Sequence, residues 1–130
     1  MLDDKSILIY ESYSGDIFQG YENPLISVMI EHYPNIPHLG IDSSSDQQLQ
    51  NMSEQFISNS KRLLLIVYLG LNAEFRGFSK LLLDAKRLKE VTVVINQRKT
   101  LVEKIFEPQK IIFAEDWNEI INQTEKWIKE

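Results

Sequence analysis

Leu63-Leu64-Leu65-Ile66-Val67-Tyr68-Leu69 carries no polar residue at alternate positions. A strand with one face in water alternates apolar and polar side chains. This run offers apolar groups on both sides, as strands do when helices cover both faces of a parallel sheet. Working outward, Ser6–Glu11, His38–Asp42, Val91–Ile95 and Lys110–Ala114 read as four further strands. Helical stripes separate them. Asn23 and Pro24 form an N-cap and first-turn proline ahead of Leu25, Ile26, Met29, Ile30 and Tyr33, and Pro34 stops that helix. Ser45 with Gln48 has capping-box spacing ahead of Leu49, Met52, Phe56 and Ile57. Phe78, Leu81, Leu82, Ala85 and Leu88 repeat at helical intervals, and a short helix with Leu101, Val102, Ile105 and Phe106 ends before Pro108. Asp116 with Glu119 caps the last helix, which is expected to bury Trp117, Ile120, Ile121, Thr124 and Ile128 and to leave Trp127 at the margin, partly exposed.

Strands that alternate with helices require crossovers laid across the sheet faces, and right-handed crossovers leave few topologies. The expected fold is a single α/β domain of 130 residues. It is a three-layer α/β/α sandwich whose five-stranded parallel sheet has the flavodoxin-like order 2-1-3-4-5.

Composition excludes several chemistries. Cysteine is absent, which removes disulfides, thiolate zinc sites, iron–sulfur clusters and cysteine nucleophiles. The opening Met1-Leu2-Asp3-Asp4-Lys5 lacks the basic and apolar regions of a signal peptide, and Leu63–Leu71 falls well short of the ~20 residues that span a bilayer. A cytoplasmic chain without a membrane segment is expected. The net charge of −5 repels a phosphate backbone, so nucleic acid is not an expected partner. Charge is uneven: residues 1–65 hold three basic and nine acidic residues, whereas Arg76 to Lys110 holds nine basic and four acidic.

In an open parallel sheet, ligands bind outside the carboxyl ends of the strands where the strand order reverses. The loops that meet there supply Glu11, Ser12, Ser14, Asp16, Asp42, Tyr68 and Asn72 as candidate ligand-binding residues. Ser12-Tyr13-Ser14-Gly15-Asp16 resembles the hydroxyl-rich first loop of flavodoxins, which implies a site for the FMN phosphate. This chain differs in starting its helix only at Pro24 and in flanking the loop with Glu11 and Asp16. A response-regulator receiver is excluded: the third strand ends Tyr68-Leu69-Gly70 without an aspartate, and the fifth is followed by Glu115-Asp116 without a lysine. The phosphate-cradling Walker A and GxGxxG patterns and the nucleophile elbow GxSxG do not occur. His32 and His38 flank a Pro-rich turn and do not have metal-ligand spacing, so no metal is expected.

Two family resemblances follow from quoted stretches. Ile7–Tyr10 with Glu11-Ser12-Tyr13-Ser14, and Phe56-Ile57-Ser58-Asn59-Ser60-Lys61-Arg62 leading into Leu63–Val67, resemble the opening loop and third strand of Toll/interleukin-receptor-like (TIR-like) domains. Some members of that family cleave NAD with a glutamate in the helix after the third strand. Phe78-Ser79-Lys80-Leu81-Leu82 has none there, and the nearest is Glu74, so catalysis is not carried over. Over residues 46–122, Gly77–Lys89 followed by Val91–Ile95 resembles the later half of STAS domains, which are partner-switching modules controlled by phosphorylation of a Ser or Thr. The matching loop, Leu71-Asn72-Ala73-Glu74-Phe75-Arg76, lacks that hydroxyl. Together these features lead to the expectation of a non-enzymatic signalling or protein-interaction module that binds a protein partner or forms a homodimer. Lys80 and Arg87, opposite an apolar stripe, and Trp127 are the candidate interface residues. The alternative is a nucleotide- or FMN-type ligand at the strand-end loops; no cofactor is otherwise implied.

Overall fold

A computed structural model describes residues 4–12, 23–42, 47–70, 79–88, 90–97 and 100–130. The elements are β1 (Lys5–Ser12), α1 (Pro24–His32), β2 (His38–Asp42), α2 (Gln47–Ser58) and β3 (Arg62–Leu69), then α3 (Ser79–Lys86) and β4 (Glu90–Ile95). They continue through α4 (Thr100–Ile105), a 3₁₀ turn (Pro108–Lys110), β5 (Ile111–Phe113) and α5 (Trp117–Lys129). All strand pairs are parallel, and the sheet order is β2-β1-β3-β4-β5, as the alternation of strand and helix requires. None of the described helices is long and apolar enough to cross a membrane.

β3 occupies the centre. Leu63, Leu64, Leu65, Ile66 and Val67 are each 0% exposed, so both faces of the strand are covered. Leu63, Leu65 and Val67 pack with Leu8 and Tyr10 of β1, Val93 of β4 and the helices α2, α3 and α4. Leu64 and Ile66 point the other way, to Ile7, Ile9, Leu25 and Met29, with Ile120 and Ile128 from α5. The period of two along each strand divides the core into two halves on opposite sides of one sheet.

Local chemistry sets the helix boundaries. Asn23 caps α1, its Oδ1 accepting the backbone N–H of Leu25 at 2.8 Å and of Ile26 at 3.4 Å. Asp116 Oδ1 accepts from Glu119 N at 2.9 Å, and Glu119 Oε2 reaches back to Glu115 N at 2.7 Å. The usual capping box returns to the cap residue's own N–H; here the return lands one residue earlier. At Gly40 in β2 a Cβ would stand 3.1 Å from Ile26 Cδ1, so this glycine lets α1 sit close to the sheet edge.

Three helix faces differ from the sequence expectation. Ile30 is 61% exposed because α1 lays only Leu25 and Met29 fully on the sheet. In α2, Met52 is 48% exposed while its neighbour Ser53 is wholly buried, a rotation of the helix that keeps a small residue against the core. In α5 the buried set is Ile120, Thr124, Trp127 and Ile128, with Trp117 and Ile121 half-buried. Trp127 is therefore inside, not at the margin. Ile120, Thr124 and Trp127 stand at i, i+4 and i+7, one continuous helical stripe.

Lys5 joins the two ends of the described chain. It is 2% exposed, and its ammonium donates to the carbonyls of Trp127 (2.9 Å), Ile128 (2.7 Å) and Glu130 (3.0 Å). The same Nζ lies 5.2 Å from the centroid of the Trp127 ring. All three ammonium protons are thereby used on main-chain oxygens at the end of α5, of which that of Trp127 also accepts from Glu130 N at 3.3 Å. Burial lowers the pKa of Lys5 below its ordinary 10.5, the Arg62 charge adds to the lowering, and Glu130 opposes it. A second tie runs from α1 to α5, where the Tyr33 phenol donates to Glu125 Oε2 at 2.8 Å. That hydrogen bond, with desolvation and the Glu125 charge, raises the phenol above its usual 10.0.

Lys5→Met is expected to cost about 1–3 kcal/mol, the range for leaving buried acceptors unpaired, and to accelerate amide exchange in the last turn of α5. Alkaline denaturation separates the two ties. The folded chain holds the Lys5 proton less tightly than the unfolded chain does, so stability from this group rises as pH climbs from its folded pKa towards 10.5. The folded chain holds the Tyr33 proton more tightly, so stability from that group falls as pH rises above 10.0. Denaturant midpoints across the alkaline range should show the rising component gone in Lys5→Met and the falling one gone in Tyr33→Phe.

Candidate functional site

The strand order reverses between β1 and β3, and the register there brings three of the expected residues together. Glu11 pairs with Asp42 on one side and with Tyr68 on the other, one row across β2, β1 and β3. Neighbouring strands lie about 4.8 Å apart, so the row is about 10 Å wide. Ser12, one residue on, is 2% exposed; the alternation along β1 places it on the α2–α3 side of the sheet, away from Glu11. Ser14, Asp16 and Asn72 lie outside the described residues.

Side chains that were not singled out as ligands complete this edge. Asn23, besides capping α1, donates through Nδ2 to Glu11 Oε1. Tyr68 stacks on Trp117 from the start of α5, with ring centroids 4.5 Å apart and planes 18° from parallel. Asn96 follows β4 directly. Its Oδ1 accepts from Leu69 N and its Nδ2 donates to Leu69 O, both at 2.8 Å. A side-chain amide thus imitates a strand and extends the β3–β4 ladder beyond Val67 and Ile95. Gln97 Nε2 donates to Leu69 O at 2.8 Å and to Gly70 O at 3.2 Å, and Gly70 N donates to Ser12 O at 2.7 Å. Asn23 was legible as a cap. Asn96 and Gln97 gave no comparable signal, because their partners lie 27 and 28 residues away in sequence.

Among the described residues, those that end β1, β2 and β5 contribute acids to this edge. Glu11, Asp42, Glu115 and Asp116 stand at the ends of β1, β2 and β5, where the starts of α1 and α5 also lie. Helix N-termini attract phosphates through free N–H groups and the helix dipole. Here N–H groups at the start of α1 are held by Asn23, and Asp116 holds that of Glu119 in α5. Among the described residues, no three His, Asp or Glu side chains gather as a metal site. His32 sits exposed in the last turn of α1, 3.7 Å from Glu31, and His38 Nδ1 is 3.2 Å from Ile36 O.

Of the three expected interface residues, Lys80 and Arg87 stay near one another along α3, and Trp127 lies on the other side of the sheet. Lys80 donates to Glu54 Oε1 at 2.6 Å and ties α3 to α2; that hydrogen bond and the carboxylate's charge raise the ammonium's pKa. Arg87 is exposed just past α3. Trp127, at 6% exposure under the Lys5 ammonium, is a core residue, which corrects the expectation that it stands partly exposed at the helix margin. No protein-family model, curated protein or solved structure matches the chain.

Asn96→Ala removes both bonds to Leu69. Expected is a loss of about 1–3 kcal/mol for the groups left unpaired, with faster exchange at the Leu69 amide and unchanged exchange at Leu64 in the strand's middle.

Proposed function

We propose that this domain is a small non-enzymatic interaction module that docks a protein partner. The observation that carries this reading is how the strand-end edge uses its hydrogen-bonding groups. Amides that would cradle a phosphate at the start of α1 are bonded to Asn23, and Asn96 and Gln97 are bonded to the backbone of Leu69 and Gly70. The edge supports the sheet with groups a ligand would need. On the opposite side of the molecule from α1 and α5, Leu83 of α3 is 51% exposed and Met52 of α2 is 48% exposed, on two helices joined by the Lys80–Glu54 pair. Large apolar side chains among charged ones are the anatomy of an interface centre and rim.

One observation favours a second reading. The Tyr68–Trp117 stack beside Glu11 supports a planar ligand of nucleotide or FMN type at the strand-end edge. Thermal unfolding with FMN, NAD and ATP decides between the two. Ligand at about 100-fold its dissociation constant adds about 2.7 kcal/mol and raises the midpoint by several degrees. No rise is expected with any of the three; a rise with one of them overturns the first reading in favour of the second. For the module, Leu83→Asp is expected to abolish partner association in cross-linking from host cells while the far-UV spectrum is unchanged. An unaltered cross-linked set would count against the α2–α3 face.

A further inference from the structure

β2 bounds the sheet on one side, with β1 as its strand neighbour. Ile7 N donates to Pro37 O at 3.0 Å, and alternate residues of a parallel strand bond to the same neighbour. Leu39 and Ile41 therefore turn their N–H and C=O groups to β1, and His38, Gly40 and Asp42 turn theirs outward. Among the described residues, nothing pairs with these outward groups. An open strand is a template for another strand, and proteins blunt it with short length, proline, lysine or a bulge. The far side of the sheet is blunted: β5 has three residues, directly after Pro108-Gln109-Lys110. β2 has five, His38-Leu39-Gly40-Ile41-Asp42, without lysine or proline and in unbroken register with β1.

The sequence of β2 complements itself when it is reversed about Gly40. In an antiparallel pair with a second copy, Gly40 stands opposite Gly40, and His38 stands opposite Asp42, a basic residue against an acidic one at both ends of the joint. Each outward residue then exchanges both of its hydrogen bonds with the residue facing it. On the α2 face Leu39 falls opposite Ile41, and both belong to the apolar layer of their own copy. On the α1 face Gly40 is exposed and brings no side chain to the axis; Ile26 Cδ1 already fills the space 3.1 Å from where a Cβ would be. Ile30, one turn beyond Ile26, is 61% exposed, and the joint sets it beside the α1 of the other copy.

We infer that two copies of this chain join through β2, antiparallel about a two-fold axis at Gly40, so that their sheets become one continuous sheet. The same residues meet from both copies, so the assembly closes as a dimer and does not grow. Main-chain bonds hold the joint, and the His38–Asp42 and Leu39–Ile41 pairs fix its register. This goes beyond the docking face on α2 and α3, since it uses a strand and different residues.

The chain has no cysteine, so single introduced thiols read the register directly. His38→Cys and Asp42→Cys proteins are mixed and oxidised. Facing residues of such a pair lie about 5.5 Å apart at Cα, within the reach of a disulfide. Like positions in the two copies are four residues out of step, about 14 Å apart, beyond that reach. The mixture is expected to give a cross-linked dimer on a non-reducing gel, and each protein alone a single chain. Sedimentation velocity of the wild-type chain should show a monomer–dimer equilibrium and nothing larger. His38→Pro removes one outward N–H from each copy and no bond to β1, and should weaken dimerisation by more than about tenfold with an unchanged far-UV spectrum. A wild type monomeric across the concentration series, cross-linking of either protein alone as strong as in the mixture, or a His38→Pro dimer as tight as wild type overturns the inference. Leu83→Asp should leave this dimer intact, so failure here is distinguishable from failure of the module reading.

Discussion

The burial of β3 on both faces is the constraint from which the rest follows. Five consecutive side chains, Leu63 to Val67, are removed from water, and each is worth about 1.5–3 kcal/mol relative to exposure. A strand buried this way has no solvent face to offer, so helices must lie above and below it. That requirement fixes α2, α3 and α4 on one side and α1 and α5 on the other. It also makes β1, which pairs with β3 along its whole length, equally apolar, from Ile7 to Tyr10.

The same arrangement orders the charges. Parallel strands and antiparallel helices place every helix N-terminus at one end of the sheet and every C-terminus at the other. Acids suit the first and bases the second, through the helix dipole. Asp116 and Glu119 at the start of α5, and Lys126 and Lys129 at its end, show the pattern within one helix. α4 repeats it, with Glu103 in its first turn and Lys104 in its last, whereas α1, α2 and α3 have no acid in their first turns.

Much of the fold was legible because it is written in short-range pattern. The unbroken run Leu63–Leu69, the Asn23-Pro24 cap and the Asp116–Glu119 pair each carry their meaning within a few residues, and the structure places them as strand, cap and cap. Spacing could also have placed Trp127 inside, since it completes the stripe of Ile120 and Thr124; the competing set containing Trp117 and Ile121 drew the face a few tens of degrees too far round. Met52 and Ser53 show the limit of periodicity. Hydrophobicity favours Met52 as the inner residue, but the helix turns Ser53 fully inward and leaves Met52 48% exposed. At the candidate site, Glu11, Asp42 and Tyr68 were located by topology alone. Asn96, Gln97 and Trp117 act through distant backbone or rings, and no local pattern announces such partners.

Lys5 has a consequence for the order in which the chain is wired. Its ammonium bonds the carbonyl of Glu130 at 3.0 Å, across 125 positions of sequence, so the start of the first strand and the end of the last helix meet. A domain whose first strand and last helix touch is a nearly closed ring in space, and the cut between them is one choice among several. A short bridge from residue 130 to Lys5 would leave every strand neighbour in place, and a new opening in a surface connection would preserve both halves of the core. The architecture depends on which elements adjoin and only weakly on which one is made first. Circular permutants of this domain should therefore assemble the same five-stranded sheet.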